Sequence, residues 1–433
     1  MGQMNRLKSA QFRLIAAILI VLALLVGLVL DLRFHGLTWR VLYSVTGEEN
    51  PAGQLNGFIQ YLGNLTRRQP VLSGPAEKPP TWDQDTGGNS IGVNTFLDLE
   101  AEESKREQQL QMISAAGIGW IRQQFRWEDL ELKRGSYIDS RNGAPVDAWK
   151  KYDNITDLAE KYHVRIIARL GTPPAWSEPA GAKQGYAPPT DFNDFVAYAT
   201  AVATRYKSRI HIWQVWNEPN VYPEWGDNAV DPEAYTDLLC RTYTALKAVD
   251  PANVVISGAL APTVELSAAN LNDLVFLQRM YGSHAASCFD ILGVQGYGLF
   301  SGPTDQRMRP TTINFSHLLW LRDVMVANGD AAKPIWIGEM AWNPVPDAQT
   351  APNISGRLNY GQVNDQQAAD YAVQAYRRAH DEWPFVGVIS YWFFKRPDEH
   401  EKDQSWYYFR MVDPDFTPRP VYNAIREYAS HQP

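Results

Sequence analysis

Two glutamates of the 433-residue chain stand where an apolar run meets a polar loop. The run IHIWQVW (210–216) leads into Trp216-Asn217-Glu218-Pro219-Asn220. The run PIWIGEM (334–340) carries Ile337-Gly338-Glu339-Met340-Ala341-Trp342. One glutamate at a strand end is ordinarily a salt bridge or a loop cap. Two, each ending a strand of one barrel, form a pair that can work on a glycosidic bond. One protonates the leaving oxygen while the other attacks or stabilises the anomeric carbon. A separation of about 5–5.5 Å gives retention, and about 6.5–9.5 Å admits a water and gives inversion. Close carboxylates resist ionising together, so such a pair divides into an acid and a base.

The elements that must hold these residues repeat along the chain. Besides the two runs above, strands are predicted at IGVNTFL (91–97), IGWIRQQF (118–125) and VRIIARL (164–170). The others are NVVISGA (253–259), FDILGVQ (289–295) and FVGVISYWF (385–393). Helical periodicity fills 191–205, 232–249 and 365–378, the last with Asn364 or Asp365 placed to cap it. Eight strand–helix units predict an α/β fold, a (β/α)8 TIM barrel, with a doubly wound open sheet as the alternative. In a barrel, chemistry gathers at the carboxyl ends of the strands, and the fourth and seventh lie nearly opposite across the mouth. That is where Glu218 and Glu339 fall.

From about residue 90 onward the sequence resembles clan A glycoside hydrolases of the family 5 and family 39 kind. The resemblance rests on QLQMISAAGIGWIRQQFRWEDLE, ARLGTPPAW, DFVAYATAVATRYKSRIHIWQVWNEPN, IWIGEMAW and VDPDFTPRPVYNAI, which follow in the family's order. It implies a retaining mechanism with Glu218 as acid/base and Glu339 as nucleophile. It further implies that Asn217 binds the sugar 2-hydroxyl, that Arg122 steadies the nucleophile and that Tyr297 donates to it. Trp392 would form the platform under the sugar. Many family 5 members carry a histidine on the third strand and another two residues before the tyrosine. Here the third strand reads IIARLGT and Gln295 takes the other place, which favours a family 39-like assignment. The architecture also resembles membrane-anchored glycosidases encoded with bacterial exopolysaccharide assembly systems.

The 15 Trp fit a sugar-binding surface. Trp127, Trp176, Tyr222, Trp225, Trp342 and Trp392 fall at strand ends or in the loops that follow, where aromatic faces can stack on sugar rings. Trp120 and Trp320 read as packing. The loop at about 343–363 is long for a compact domain. With Lys395, Arg396, Asp398, Glu399 and His400 it is expected to shape an extended cleft.

The N-terminal run LIAAILIVLALLVGLVL (14–30) has no charge or proline and spans roughly 25 Å as a helix, the lower limit for crossing a bilayer. Arg6, Lys8 and Arg13 before it favour an inside N-terminus, with the rest of the chain extracytoplasmic. A cleaved signal peptide would end in small residues, and LVLDLRFHG does not. The predicted organisation is therefore a cytoplasmic N-terminus (1–13), a signal-anchor helix (14–30), a connector (31–85) and the catalytic domain (86–433). Leu55, Phe58, Ile59, Leu62 and Leu65 suggest one amphipathic helix in the connector, and Pro70, Pro75, Pro79 and Pro80 an extended linker before Trp82.

Net charge is −8, without the basic footprint of a nucleic-acid binder. Hydrophobic residues at 45% and charged ones at 20% describe a globular chain. Cys240 and Cys288 could form one bridge, although buried free thiols are the simpler reading. The eight histidines are scattered without H-E-x-x-H, and the G-x-S-x-G match at 88–92 precedes the first strand instead of following one. No metal or cofactor is expected. The expected partners are a polysaccharide or oligosaccharide substrate, the lipid bilayer and polysaccharide-assembly proteins. The alternatives to hydrolysis are a noncatalytic glycan-binding or assembly protein on the same barrel, and a transglycosylase.

Overall fold

The computed structural model describes residues 2–46, 50–64, 89–141, 143–183, 185–309 and 311–431. The connector prolines, Trp82 and the boundary at 85/86 lie outside the described residues. Two compact units result: Met1–Arg68 with Thr304–Met308, and Gln69–Pro303 with Arg309–Pro433.

In the first unit one helix runs Gly2–Arg33. Its segment Arg13–Arg33 is 21 residues long and has mean hydropathy 3.0, with none of the residues of its apolar stretch buried. That length and composition suffice to cross a bilayer. Asp31 lies inside this helix, and its carboxylate accepts from Thr38 N at 2.8 Å and Trp39 N at 3.2 Å. It thereby satisfies free N–H groups at the start of the next helix, Leu37–Thr46. Sequence periodicity did not signal that helix. The expected amphipathic helix is present as Pro51–Asn64.

The second unit is built on eight parallel strands: β1 (Ile91–Thr95), β2 (Trp120–Arg126), β3 (Arg165–Gly171), β4 (Ile212–Val215), β5 (Val254–Ile256), β6 (Leu292–Gln295), β7 (Ile335–Met340) and β8 (Val386–Tyr391). Each predicted run overlaps one of them; six contain their strand, while β2 and β3 extend one residue further, to Arg126 and Gly171. Neighbours in sequence are neighbours in the sheet, and β1 pairs with β8. Parallel bridges Ile256 to Ile291 and Leu260 to Val294 join β5 to β6 and close the barrel. The open-sheet alternative is thereby excluded.

The runs are apolar on both faces because the barrel has packed side chains inside and helices outside. Trp120, Ile167, Ile212, Ile256, Ile291, Trp336 and Val388 belong to one buried cluster. Side-chain caps open the three helices, and the expected cap at Asn364 is among them. Asp191 accepts from Asn193 N ahead of Phe192–Arg205, Asp231 from Ala234 N ahead of Pro232–Val249, and Asn364 from Gln367 N ahead of Asp365–Glu382. The last continues four residues past the predicted end.

Cys240, on the helix Pro232–Val249, and Cys288 are disulfide-bonded, with Cα atoms 4.6 Å apart. This corrects the expectation of free thiols. Their 48-residue separation says nothing about proximity, which follows only once that helix packs beside the segment leading into β6.

Candidate active site

Chain direction turns sharply at the end of β4. Trp216 sits in the left-handed region at φ 72°, a conformation that costs a non-glycine residue on the order of 1–3 kcal/mol. Two contacts hold it there: its N–H donates to Leu170 O at 2.9 Å, and its indole Nε1 donates to Glu224 O at 2.6 Å. The next two residues, Asn217 and Glu218, are half-buried.

Opposite them, Glu339 is the penultimate residue of β7 and is 5% exposed. It accepts from Arg122 Nη1 at 3.0 Å on one oxygen and from Tyr297 Oη at 2.7 Å on the other. Arg122, from β2, makes three more bonds: Nε donates to Gln214 Oε1, Nη1 also to Asn94 Oδ1, and Nη2 to Asn217 Oδ1, each at 2.7 Å. One guanidinium thus ties β1, β2, β4 and β7 together. Asn94 adds a link by donating to Gly338 O at 2.8 Å, immediately before Glu339. Gly338 allows this close packing, since a Cβ there would lie 3.1 Å from both Gln295 Oε1 and Ala259 Cβ.

Glu218 has a different environment. Gln295 Nε2 donates to its Oε1 at 2.7 Å. Burial, reinforced by the carboxylates of Glu339 and Glu224, pushes the Glu218 carboxyl up to about 8. A carboxyl raised in this way suits the role of a proton donor, while Glu339 is held by Arg122 and Tyr297 in the orientation a nucleophile needs. Burial and the neighbouring Glu339 also push the Tyr297 hydroxyl well above its ordinary value, so it remains a donor.

The structure thus brings Glu218, Glu339, Asn217, Arg122 and Tyr297 into one network. Trp392, just past β8, is half-buried and held edge-on by Phe96 and Phe393, each with ring centroids 5.5 Å away. Other tryptophans are engaged in packing. Trp225 is 2% exposed, edge-on to Trp216 and Tyr235. Trp342 is 1% exposed, donates to Ser301 O and meets Phe315 and Tyr371. Trp127 is fully buried, and Trp176 is packed against it while donating to Glu131 O. Trp127, Trp225 and Trp342 therefore leave no open face for stacking. Tyr222 is exposed.

Among the charges beyond β8, Lys395 is buried against Glu100, and Arg396 pairs with Glu401 while stacking on Phe96. From the loop after β7, Tyr360 reaches the site, where burial and the two glutamates raise its pKa.

Sequence reasoning missed Asn94, Gln214, Arg169 and Glu224 as parts of this mouth. The first three carried a signal, being polar residues inside otherwise apolar strand runs. Glu224 carried none, because it reaches the site from a loop.

Comparison with known proteins agrees with this geometry. Residues 81–285 match the family model Cellulase (glycosyl hydrolase family 5). No curated protein matches significantly. Among solved structures, a family 39 glycoside hydrolase from Bacteroides cellulosilyticus WH2 superposes with TM-score 0.60 at 19% identity, over 80% of this chain and 65% of that one. A monomeric beta-xylosidase from Caulobacter crescentus CB15 gives TM-score 0.55 at 19% identity, over 81% and 69%. A family 5, subfamily 18 protein from Streptomyces cattleya, in complex with Manb1-4GlcNAc, gives 0.57 at 18% identity, over 79% and 82%. The chain spans about two thirds of the family 39 structure's length. The barrel fold is what this chain shares with these glycoside hydrolases of families 39 and 5, and residues 81–285 carry the family 5 match.

Proposed function

We propose that the protein is a retaining glycoside hydrolase that cleaves O-glycosidic bonds of a polysaccharide outside the cytoplasm. The observation that carries this reading is the division of the carboxyl pair. Glu218 is pushed up to about 8, while Glu339 is held by Arg122 and Tyr297. In the first step a Glu339 oxygen bonds to the anomeric carbon as the glycosidic C–O bond breaks. The Glu218 proton passes to the leaving oxygen. In the second step Glu218, now a carboxylate, takes a proton from water as that water displaces Glu339 and restores the acid. Asn217 binds the sugar 2-hydroxyl, Arg122 and Tyr297 orient Glu339, and Trp392 underlies the ring.

The segment 14–30 serves as an uncleaved anchor, 31–85 as connector and 86–433 as the catalytic domain. Two observations support an extracytoplasmic barrel: the basic residues Arg6, Lys8 and Arg13 ahead of the apolar run, and the Cys240–Cys288 bridge, a bond of oxidising compartments. The bilayer and polysaccharide-assembly proteins are the partners this arrangement suits.

The test is the detergent-solubilised protein against defined polysaccharides and activated 2-fluoro glycosides. Expected results are new reducing ends, retained anomeric configuration in early products, a covalent adduct on Glu339, and loss of turnover in Glu339→Gln. An adduct elsewhere, or inverted product, refutes the mechanism. Normal biological activity of the Glu218→Ala, Glu339→Ala double variant would instead favour a noncatalytic role.

A further inference from the structure

Next to Asn217, on the β2–β3 side of the mouth, a cavity of about 150 Å³ opens among Gln124, Arg126, Glu128, Arg169, Tyr186 and Glu224. Its charged residues are not equivalent. Arg126 is ion-paired with Glu128. Arg169, near the end of β3, donates to the neutral side-chain oxygen of Gln124. Among the described residues no carboxylate oxygen lies within 4.0 Å of its guanidinium. A guanidinium offers five N–H donors, and charges drawn out of bulk water are ordinarily paired. At the rim a further cation, exposed Lys183, stands 4.8 Å from the centre of the Tyr186 ring.

We infer that this cavity receives a carboxylate carried by the glycan, with Arg169 as the residue that binds it. The substrate class is then an acidic polysaccharide, an inference that rests on the hydrolase reading above. The planar fork of Arg169 matches a carboxylate edge-to-edge. Glu128 and Glu224 on the same walls tolerate one negative charge and oppose a dianionic phosphate. The position suits the role, because Asn217 lines both this cavity and the catalytic network. A sugar whose 2-hydroxyl meets Asn217 would direct a neighbouring acidic group into the cavity.

Electrostatics at the walls point the same way. Burial, with cationic Arg122 nearby, draws Arg169 down to about 10. Burial raises the Glu224 carboxyl, partly offset by Arg169 and Asn217. An entering carboxylate would supply Arg169 with the anionic partner that its burial calls for.

The test uses the full-length Glu339→Gln protein in detergent micelles. Its affinity is measured for a panel of acidic polysaccharides, each paired with a neutralised counterpart. Glucuronate-containing gellan is paired with its carboxyl-reduced form, and a pyruvate-ketal-bearing galactan with its depyruvylated form. The two pairs distinguish a uronic acid ring from an acidic substituent. The expected result is at least a tenfold preference for one acidic form over its counterpart. That preference collapses when Arg169→Gln is added and survives in part with Arg169→Lys. Equal binding across every pair, or a preference untouched by Arg169→Gln, overturns the inference. Hydrolysis is scored separately on the wild-type protein. A preference that persists in a chain with no hydrolytic activity would support the cavity while removing the catalytic reading, so the two fail independently.

Discussion

Replacing Gln295 by leucine tests the division of labour between the two glutamates directly. The Gln295 amide donates to Glu218 at 2.7 Å and stabilises its charged form, opposing the burial that pushes the carboxyl from its ordinary 4.5 to about 8. A hydrogen bond to a charged group is worth about 1.5–3 kcal/mol, equivalent to roughly one to two pKa units. Gln295→Leu should therefore carry the Glu218 titration to about 9 or above. Cost to the fold should be small, because among the described residues Gln295 Oε1 has no hydrogen-bond partner and leucine removes that unmet acceptor too.

The assay is carboxyl ¹³C NMR on glutamate-labelled protein, with Glu218 assigned by comparison with Glu218→Gln. The basic limb of kcat/KM should move upward by the same amount. Stability follows with a definite sign. A carboxyl whose folded pKa exceeds its unfolded value contributes stability that is complete below the unfolded value and is lost as pH rises through the folded one. In the wild-type protein that window runs from about 4.5 to about 8. The variant should lose stability over a window reaching about one unit higher. The two proteins should differ little in this contribution at pH near 6 and diverge above pH 8. A Glu218 midpoint that stays put or falls would refute the assignment of Gln295 as the group holding the acid/base within reach of neutral pH.

Other consequences follow from single contacts. Arg122→Met leaves Glu339 with Tyr297 as its remaining donor and strips Asn94, Gln214 and Asn217 of theirs; breaking a buried pair costs about 3–5 kcal/mol, so denaturant midpoint and turnover should fall together, turnover by at least about 100-fold. Gly298→Ala should destabilise by about 1–3 kcal/mol in chemical denaturation, because its Cβ would stand 2.4 Å from the Trp342 ring, itself pinned by Ser301, Phe315 and Tyr371; an unchanged midpoint would contradict that packing. Cys240→Ser with Cys288→Ser opens a bridge spanning 48 residues, and the expected loss is about 2–4 kcal/mol in the urea-unfolding free energy.

Local chemistry made much of this protein legible before any coordinates. The eight apolar runs identified the barrel strands because a parallel barrel buries both strand faces, leaving a continuous hydrophobic signature. Asn364 marked a helix start because a cap acts on its own next few residues. Glu218 and Glu339 were readable because strand ends in a barrel converge on one mouth. The apolar N-terminal helix was readable from composition and length alone.

Barrel closure decided the rest. The four partners of Arg122 are 28 to 217 residues away from it, and no local pattern encodes which of them a guanidinium will meet. Burial separated Trp225 and Trp342 from Trp392, though all three share the same kind of sequence position, since a tryptophan's exposure depends on what packs over it. The Cys240–Cys288 bridge and the placing of Arg169 and Glu224 on the walls of one cavity have the same origin. Periodicity and capping act over a few residues, whereas these contacts exist only where strands distant in sequence are brought side by side.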